Sequence, residues 1–489
     1  MTKHAVVIGG GLAGITAALD LRDAGLDVTL LESRPRLGGA ASSFPRGSMM
    51  IDNGQHVILR CCSAYRELLA KLGATGSVAI QDKFDVTVLS PAGQARLRRT
   101  SLPSPLHMTR ALAGYRLLSM RERAAVARAA LAFRLANPSD PNLDSPKLGD
   151  WLAARGQGER ARRLLWDLFI VSALNIDGDD ASVQLAATVI KTALLGAKDA
   201  ADIGIASVPL GELHGTVAGE LLAALGVQVR LGARAASIET MPGGGFRIGL
   251  TARQAGSSNA DDESSAGQAN AGSLPADAVV LAVPAMNAGS LAVPAGVTDT
   301  SAWDALGFSP IVNVHFVYDR TVTPLKFAAA VDSPVQWVFD KTRQAGLESG
   351  QYLAISLSAA DKYVDMPVAA LREMFEPALE RLFPAAADAN VTDFFVTRER
   401  RATFRQGPGT GALRPGAMTS VRGLALAGAW TDTGWPDTME GAVRSGHNAA
   451  QEIVRQMGLT GAVDRVPVAS PRAVQLRAED LDTAWSDAP

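Results

Sequence analysis

The stretch Ala5-Val6-Val7-Ile8-Gly9-Gly10-Gly11-Leu12-Ala13-Gly14, running into an apolar helical pattern from Ile15 to Ala24, decides how this chain folds. Its unbroken apolar opening suits a parallel strand buried on both faces. Gly9, Gly11 and Gly14 follow at the spacing a nucleotide turn needs. The first permits the tight turn, the second lets backbone approach a pyrophosphate, and the third lets the helix pack on the strand. The helix start adds free N–H groups and the positive end of its dipole. A second strand, Asp27-Val28-Thr29-Leu30-Leu31, ends at Glu32, where a carboxylate can accept hydrogen bonds from a ribose hydroxyl. An acid there fits an unphosphorylated ribose, hence FAD or NAD rather than NADP. Glycine turns also serve purely structural ends, but strand, helix, second strand and acid in register favour a dinucleotide site.

At 489 residues the chain has room for two or three cores. A net charge of −2 gives no electrostatic footprint for nucleic acid. The two cysteines, adjacent at Cys61 and Cys62, build no disulfide framework and fit a reducing compartment, where they read as small buried hydrophobes. Lys3 before an apolar run resembles a signal peptide, yet the glycine spacing and Glu32 account for the same residues better. No apolar run reaches the roughly 18 residues of a membrane span, so any membrane contact is expected to be peripheral. His4, His107, His214, His315 and His447 show no ligand spacing, and no metal is expected.

Along the chain, Asp52-Asn53-Gly54-Gln55-His56-Val57 follows a short strand and packs polar side chains into a glycine turn, either a hairpin or a site. Tyr65 to Leu72 reads as a helix stopped by Gly73, and Ser90-Pro91-Ala92-Gly93 as the turn of a hairpin. Residues 103–196 change to long Ala-, Leu- and Arg-rich helical patterns. Within them Arg110, Arg116, Arg121, Arg123, Arg128 and Arg134 face a single acid, Glu122. Such a segment could lie on an anionic bilayer, although solvated arginines on an ordinary helix give the same string. An α/β pattern returns from Val208, with a strand at Val227 to Leu231. Strands are expected at Ile311 to Tyr318, Val335 to Phe339, Tyr352 to Leu357 and Phe394 to Thr397, with a helix from Ala369 to Phe383. Leu424 to Gly428 reads as a last strand before a helix capped by Thr438.

The continuation Arg34-Pro35-Arg36-Leu37-Gly38-Gly39, together with the opening unit and the C-terminal strand, turn and helix, resembles the FAD-dependent amine oxidase and phytoene desaturase superfamily. That resemblance implies an α/β fold: a Rossmann-like FAD-binding domain assembled from separated segments, with an inserted substrate domain of antiparallel sheet and helices. On this chain the segments are 1–100, 205–290 and 420–457 for FAD, 101–204 for a helical substrate- or membrane-facing part, and 291–419 for the substrate sheet. Residues 251–275 and 459–489 are expected to be flexible. The implied FAD contacts are Gly9, Gly11, Gly14, Glu32, Arg36, Gly39, Gly54, Gln55, Ala235, Gly428 and Met439. Relatives commonly carry Arg where this chain has Ala40, and an acid where it has Ala429; Asp432 stands three residues on as the substitute. No cysteine follows residue 62, so the FAD is expected to be noncovalent.

Asp52-Asn53-Gly54-Gln55-His56-Val57, Leu59-Arg60-Cys61-Cys62 with Tyr65, Pro310-Ile311-Val312-Asn313 with His315, and Gln336-Trp337-Val338-Phe339-Asp340 resemble a narrower branch, the squalene-associated hydroxysqualene dehydroxylases. This implies reductive removal of the hydroxyl of hydroxysqualene to give squalene, in bacterial hopanoid biosynthesis. A hydride would pass from reduced flavin to an allylic carbon as hydroxide leaves, and a proton donor would help it leave. His56 is the best local candidate for that donor, with Asp52 or a water as alternatives; hydrogen bonding to the flavin or backbone, and simple packing, are the other readings of His56. Carrying a C30 isoprenoid through water would cost on the order of 20 kcal/mol at about 0.8 kcal/mol per carbon. The expected location is therefore cytoplasmic, at the inner face of the cell membrane, beside the bilayer or the preceding enzyme. Oxidative isoprenoid desaturation, amine oxidation, and a non-enzymatic isoprenoid carrier of the same fold are the competing readings.

Overall fold

The computed structural model describes residues 2–252 and 270–459. Its first layer is a five-stranded, all-parallel sheet in the order Gln228–Leu231, Asp27–Glu32, His4–Ile8, Ala278–Leu281, Leu424–Leu426. The helix Leu12–Asp23 packs on it beside the C-terminal helix Met439–Gln456. These two helices touch through glycine: a Cβ on Gly446 would stand 2.3 Å from the Ala13 carbonyl oxygen. Thr438 caps the second helix, its side chain accepting from the Gly441 N–H.

A three-stranded antiparallel sheet follows the first layer, made of Ala233–Thr240, Phe246–Ala252 and Asn270–Ala276. The flexible segment expected at 251–275 is thereby corrected at its ends: 251–252 and 270–275 are paired strand. Its centre, 253–269, lies outside the described residues, as do 460–489 of the expected tail.

The second large layer has seven strands in the order Val391–Thr403, Ser309–Tyr318, Gln351–Leu357, Trp337–Asp340, Phe327–Ala330, Asp85–Ser90, Gly93–Arg98. All neighbours are antiparallel except Phe327–Ala330 with Asp85–Ser90, which is parallel. The hairpin at Ser90 to Gly93 forms as expected, but its strands join this sheet rather than the nucleotide layer with which residues 1–100 were grouped. Phe327–Ala330 was not foreseen, because Phe-Ala-Ala-Ala carries little strand propensity. Its burial between two neighbours decides the matter.

Against the edge strand Gly93–Arg98 of this sheet packs the helical insertion, with helices Thr109–Gly114, Met120–Leu135 and Leu148–Ala153 and the continuous helical runs 159–174 and 183–194. The last two contain π-helical turns at Arg162–Trp166 and Ile190–Leu194. Asp202, fully buried, ties this region together. Its carboxylate accepts from Arg99 at 2.6 and 2.8 Å, from Arg60 at 3.2 Å and from the Phe84 N–H at 2.7 Å.

Candidate active site

The two glycine motifs pack against each other. Gly38 N–H donates to the Gly10 carbonyl at 2.9 Å, and a Cβ on Gly39 would lie 2.8 Å from the Gly11 Cα. Gly9, at φ +114°, lies against Ala282, and a Cβ on Gly14 would fall 1.9 Å from the Gly9 carbonyl oxygen. Gly11 differs, since its nearest neighbour would be 3.8 Å from a Cβ and the space beyond is cavity. Glu32 lines the same cavity. Its carboxylate accepts from the Gly10 and Arg34 N–H groups, both at 2.7 Å, so the turn itself orients the acid.

The cavity is about 1630 Å³, beyond the roughly 300–1,000 Å³ of a single-ligand pocket. One end is polar and backbone-rich, bounded by Gly9 to Ala13, Glu32 to Arg34, Gly38 to Ala41, Ala235, Gly428, Ala429 and Met439. The other is an apolar arm lined by Phe84, Phe169, Leu194, Ile311, Phe327, Trp337 and Phe339. Three of these aromatic rings, Phe327, Trp337 and Phe339, stand 6.3–6.4 Å apart centre to centre. The indole N–H of Trp337 donates to Ser172 at 2.7 Å, which fixes the ring at the wall.

Asn53, Gly54, Gln55 and His56 line the same cavity. Asn53 pins the turn: its side-chain oxygen accepts from the Ser42 N–H, and its amide donates to the Ala40 carbonyl and to Glu399. Gln55 keeps both amide atoms buried without a partner in the protein. His56 lines the cavity, and burial pushes its pKa down, so the ring is neutral near pH 7. Behind it, the Tyr65 hydroxyl lies 2.5 Å from Nε2 of His214. Burial lowers His214 to about 4, and with its proton on Nδ1 facing the Ala41 carbonyl, Nε2 accepts from Tyr65.

Four expectations change. Asp52 does not reach the cavity. Its carboxylate is saturated by Ser43, the Leu210 N–H, Lys341 at 3.1 Å and Gln344 at 2.7 Å, and therefore holds the turn rather than moving protons. Arg36 is exposed and does not line the cavity, whereas Arg34, Arg234 and Arg401 do. Asp432 is exposed and accepts only from the Gly434 N–H, so it does not replace the acid absent at Ala429. Cys61 and Cys62 are half-buried and face the cavity; Cys62 acts on Cys61 as a hydrogen-bond donor, pulling that thiol down while its own pKa rises.

Asp437, Glu440 and Tyr65 also line the cavity and were not foreseen as site residues. Burial lifts the Asp437 carboxyl to about 6 although it accepts from the Phe404 N–H at 2.9 Å. Buried Glu440 accepts from the Ala64 and Tyr65 N–H groups and from Arg444. The sequence signal available was the position of both acids at the start of a glycine-containing helix. Among the described residues no cluster of His, Cys, Asp or Glu could hold a metal ion.

A turn whose glycines leave room only at Gly11, an oriented acid at Glu32 and an orphaned amide at Gln55 fit a flavin dinucleotide. A family model described as flavin containing amine oxidoreductase matches residues 12–454. The chain belongs to that family and is an FAD-dependent oxidoreductase. Among its relatives, it is 31% identical over 463 residues to the hydroxysqualene dehydroxylase of Rhodopseudomonas palustris, covering 93% of this chain and 99% of that one. The hydroxysqualene dehydroxylase of Sinorhizobium fredii is 29% identical, over 92% and 98%. A zeta-carotene desaturase of Capsicum annuum is 26% identical, over 91% and 80%. The solved cyclohexylamine oxidase from Brevibacterium oxydans shares the fold, with a TM-score of 0.68 at 20% identity, covering 94% of this chain and all of that one.

Proposed function

We propose that this enzyme reduces hydroxysqualene to squalene, releasing the hydroxyl oxygen as water, within a squalene- and hopanoid-forming route. The observation that carries this reading is one cavity joining a dinucleotide cradle to an apolar arm. Two dehydroxylase relatives matched over almost their whole length support it. Bound FAD, when reduced, supplies a hydride.

The chain's own residues do the rest. Gly9 and Gly11 with Glu32 bind and orient the dinucleotide, Gly14 seats the helix against the Gly9 turn, and Gly428 and Met439 line the same cavity. The arm from Phe84 to Phe339 holds an isoprenoid chain and excludes water. His56, neutral, offers an N–H to the departing oxygen. Asp437, titrating at about 6, retains part of its proton near neutrality and is the acid best suited to protonate it. The substrate would enter from a bilayer or the preceding enzyme, since passage through water is too costly.

The test is an anaerobic reaction of chemically reduced enzyme with hydroxysqualene. Squalene formed in step with flavin reoxidation is the expected result. Reduced flavin that persists without squalene would refute the proposal. Oxidised enzyme that instead becomes reduced with an unsaturated isoprenoid would favour desaturation, and purified protein lacking releasable FAD would favour a carrier.

A further inference from the structure

Among the described residues, eleven large apolar side chains stand exposed, and five of them fall within residues 102–135: Leu102, Leu106, Met120, Leu131 and Leu135. Met120, Leu131 and Leu135 are 76%, 56% and 78% exposed, unusual values for side chains on a capped, well-formed helix. On that helix Met120, Ala124, Ala127, Leu131 and Leu135 follow one another at steps of three and four, all exposed. They therefore form one apolar stripe turned to solvent, opposite the buried Ala125, Val126, Ala129 and Phe133.

The same segment carries Arg110, Arg116, Arg121, Arg128 and Arg134. All five are exposed, and none makes a hydrogen bond or ion pair with a described residue. Arg123, by contrast, donates to the Ala113 carbonyl and fastens the two helices to each other. Cations left free beside leucines left exposed describe a surface whose partner is both negative and apolar.

The patch also adjoins the cavity. The Ser104 hydroxyl donates to the Leu195 carbonyl at 2.8 Å, and Lys191 donates to the Ala136 carbonyl at 2.5 Å. Leu195 follows, and Lys191 lies within, the π turn Ile190–Leu194, whose Thr192, Ala193 and Leu194 line the cavity. The patch segment is thus tied at both ends to a helical turn that walls the cavity.

We propose that residues 102–135 form a docking face for an anionic lipid bilayer, placing the apolar arm over the leaflet. This rests in part on the substrate reading above, but its test does not. FAD-loaded protein is sedimented with vesicles of phosphatidylcholine alone or with phosphatidylglycerol added. Binding to the anionic vesicles, weakened by high salt, is expected. The combined Arg121→Glu, Arg128→Glu and Arg134→Glu variant should partition at least about tenfold less, and Leu131→Ser with Leu135→Ser should weaken binding at low salt as well. FAD content and melting temperature report folding, and Arg→Lys replacements at the same three positions should keep binding. Absence of sedimentation with anionic vesicles, equal partitioning of the variants, or a variant-induced change from dimer to monomer would overturn the proposal; the last would mean that a second copy covers the face. Vesicle binding without squalene formation would refute the substrate reading alone.

Discussion

At the scale of single residues, the glycines of the first turn do different work, and the difference is measurable. Gly14→Ala drives a methyl into the Gly9 carbonyl, 1.9 Å away, and should cost about 1–3 kcal/mol by overpacking. Gly11→Ala meets no protein atom closer than 3.8 Å and projects into the dinucleotide space. Its melting temperature without cofactor should stay near that of the parent, while flavin absorbance after purification falls sharply. Asp437 offers a pH signature. Its folded pKa of about 6 exceeds the usual 3.8, so the folded state binds the extra proton between those values. Stability from this group is then fully present below about pH 4 and is lost as pH rises to about 6. Asp437→Asn keeps the acceptor for the Phe404 N–H and should raise the melting temperature at pH 8 but not at pH 4. A drop in turnover for the same variant, with FAD retained, would mark it as the proton source.

At the scale of elements, buried polar ties decide which pieces move together. Asp202 joins the strand Ile203–Ala206 to the Arg99 end of the hairpin and to Arg60 beside the cysteines. Asp202→Ala would leave the buried Arg99 guanidinium without its carboxylate and Arg60 with only Asp199 at 3.7 Å, and should cost about 3–5 kcal/mol, read by chemical denaturation. The opening strand, helix, strand and acid were legible in the sequence because each obeys local rules, and so was the Thr438 cap. Phe327–Ala330 and the cavity-facing positions of Tyr65 and Asp437 were not. Those follow from packing between separate segments of the chain, which periodicity does not encode. Asp52 misled for a related reason: a carboxylate in a glycine turn looks alike whether it faces a cavity or, as here, Lys341 and Gln344. Near Ala429, the closest acid in sequence, Asp432, is exposed and away from the cavity wall, whereas Asp437 lines it.

At the scale of the whole molecule, the nucleotide layer and the seven-stranded sheet share one cavity, so ligands bound there should stabilise both at once. FAD and an isoprenoid together should raise the melting temperature more than either alone, in a single cooperative transition, because each binds only the folded chain. The parallel pairing of Phe327–Ala330 with Asp85–Ser90 has a further consequence, one that concerns the ribosome. The hairpin emerges early, yet its partner strand is still unmade. At about 5–20 residues per second, tens of seconds of synthesis separate the two. The nucleotide sheet waits still longer for its edge strand Leu424–Leu426. Throughout that interval both sheets present open edges, so a nascent chain stalled before residue 327 should recruit chaperones, whereas one released after residue 456 should not.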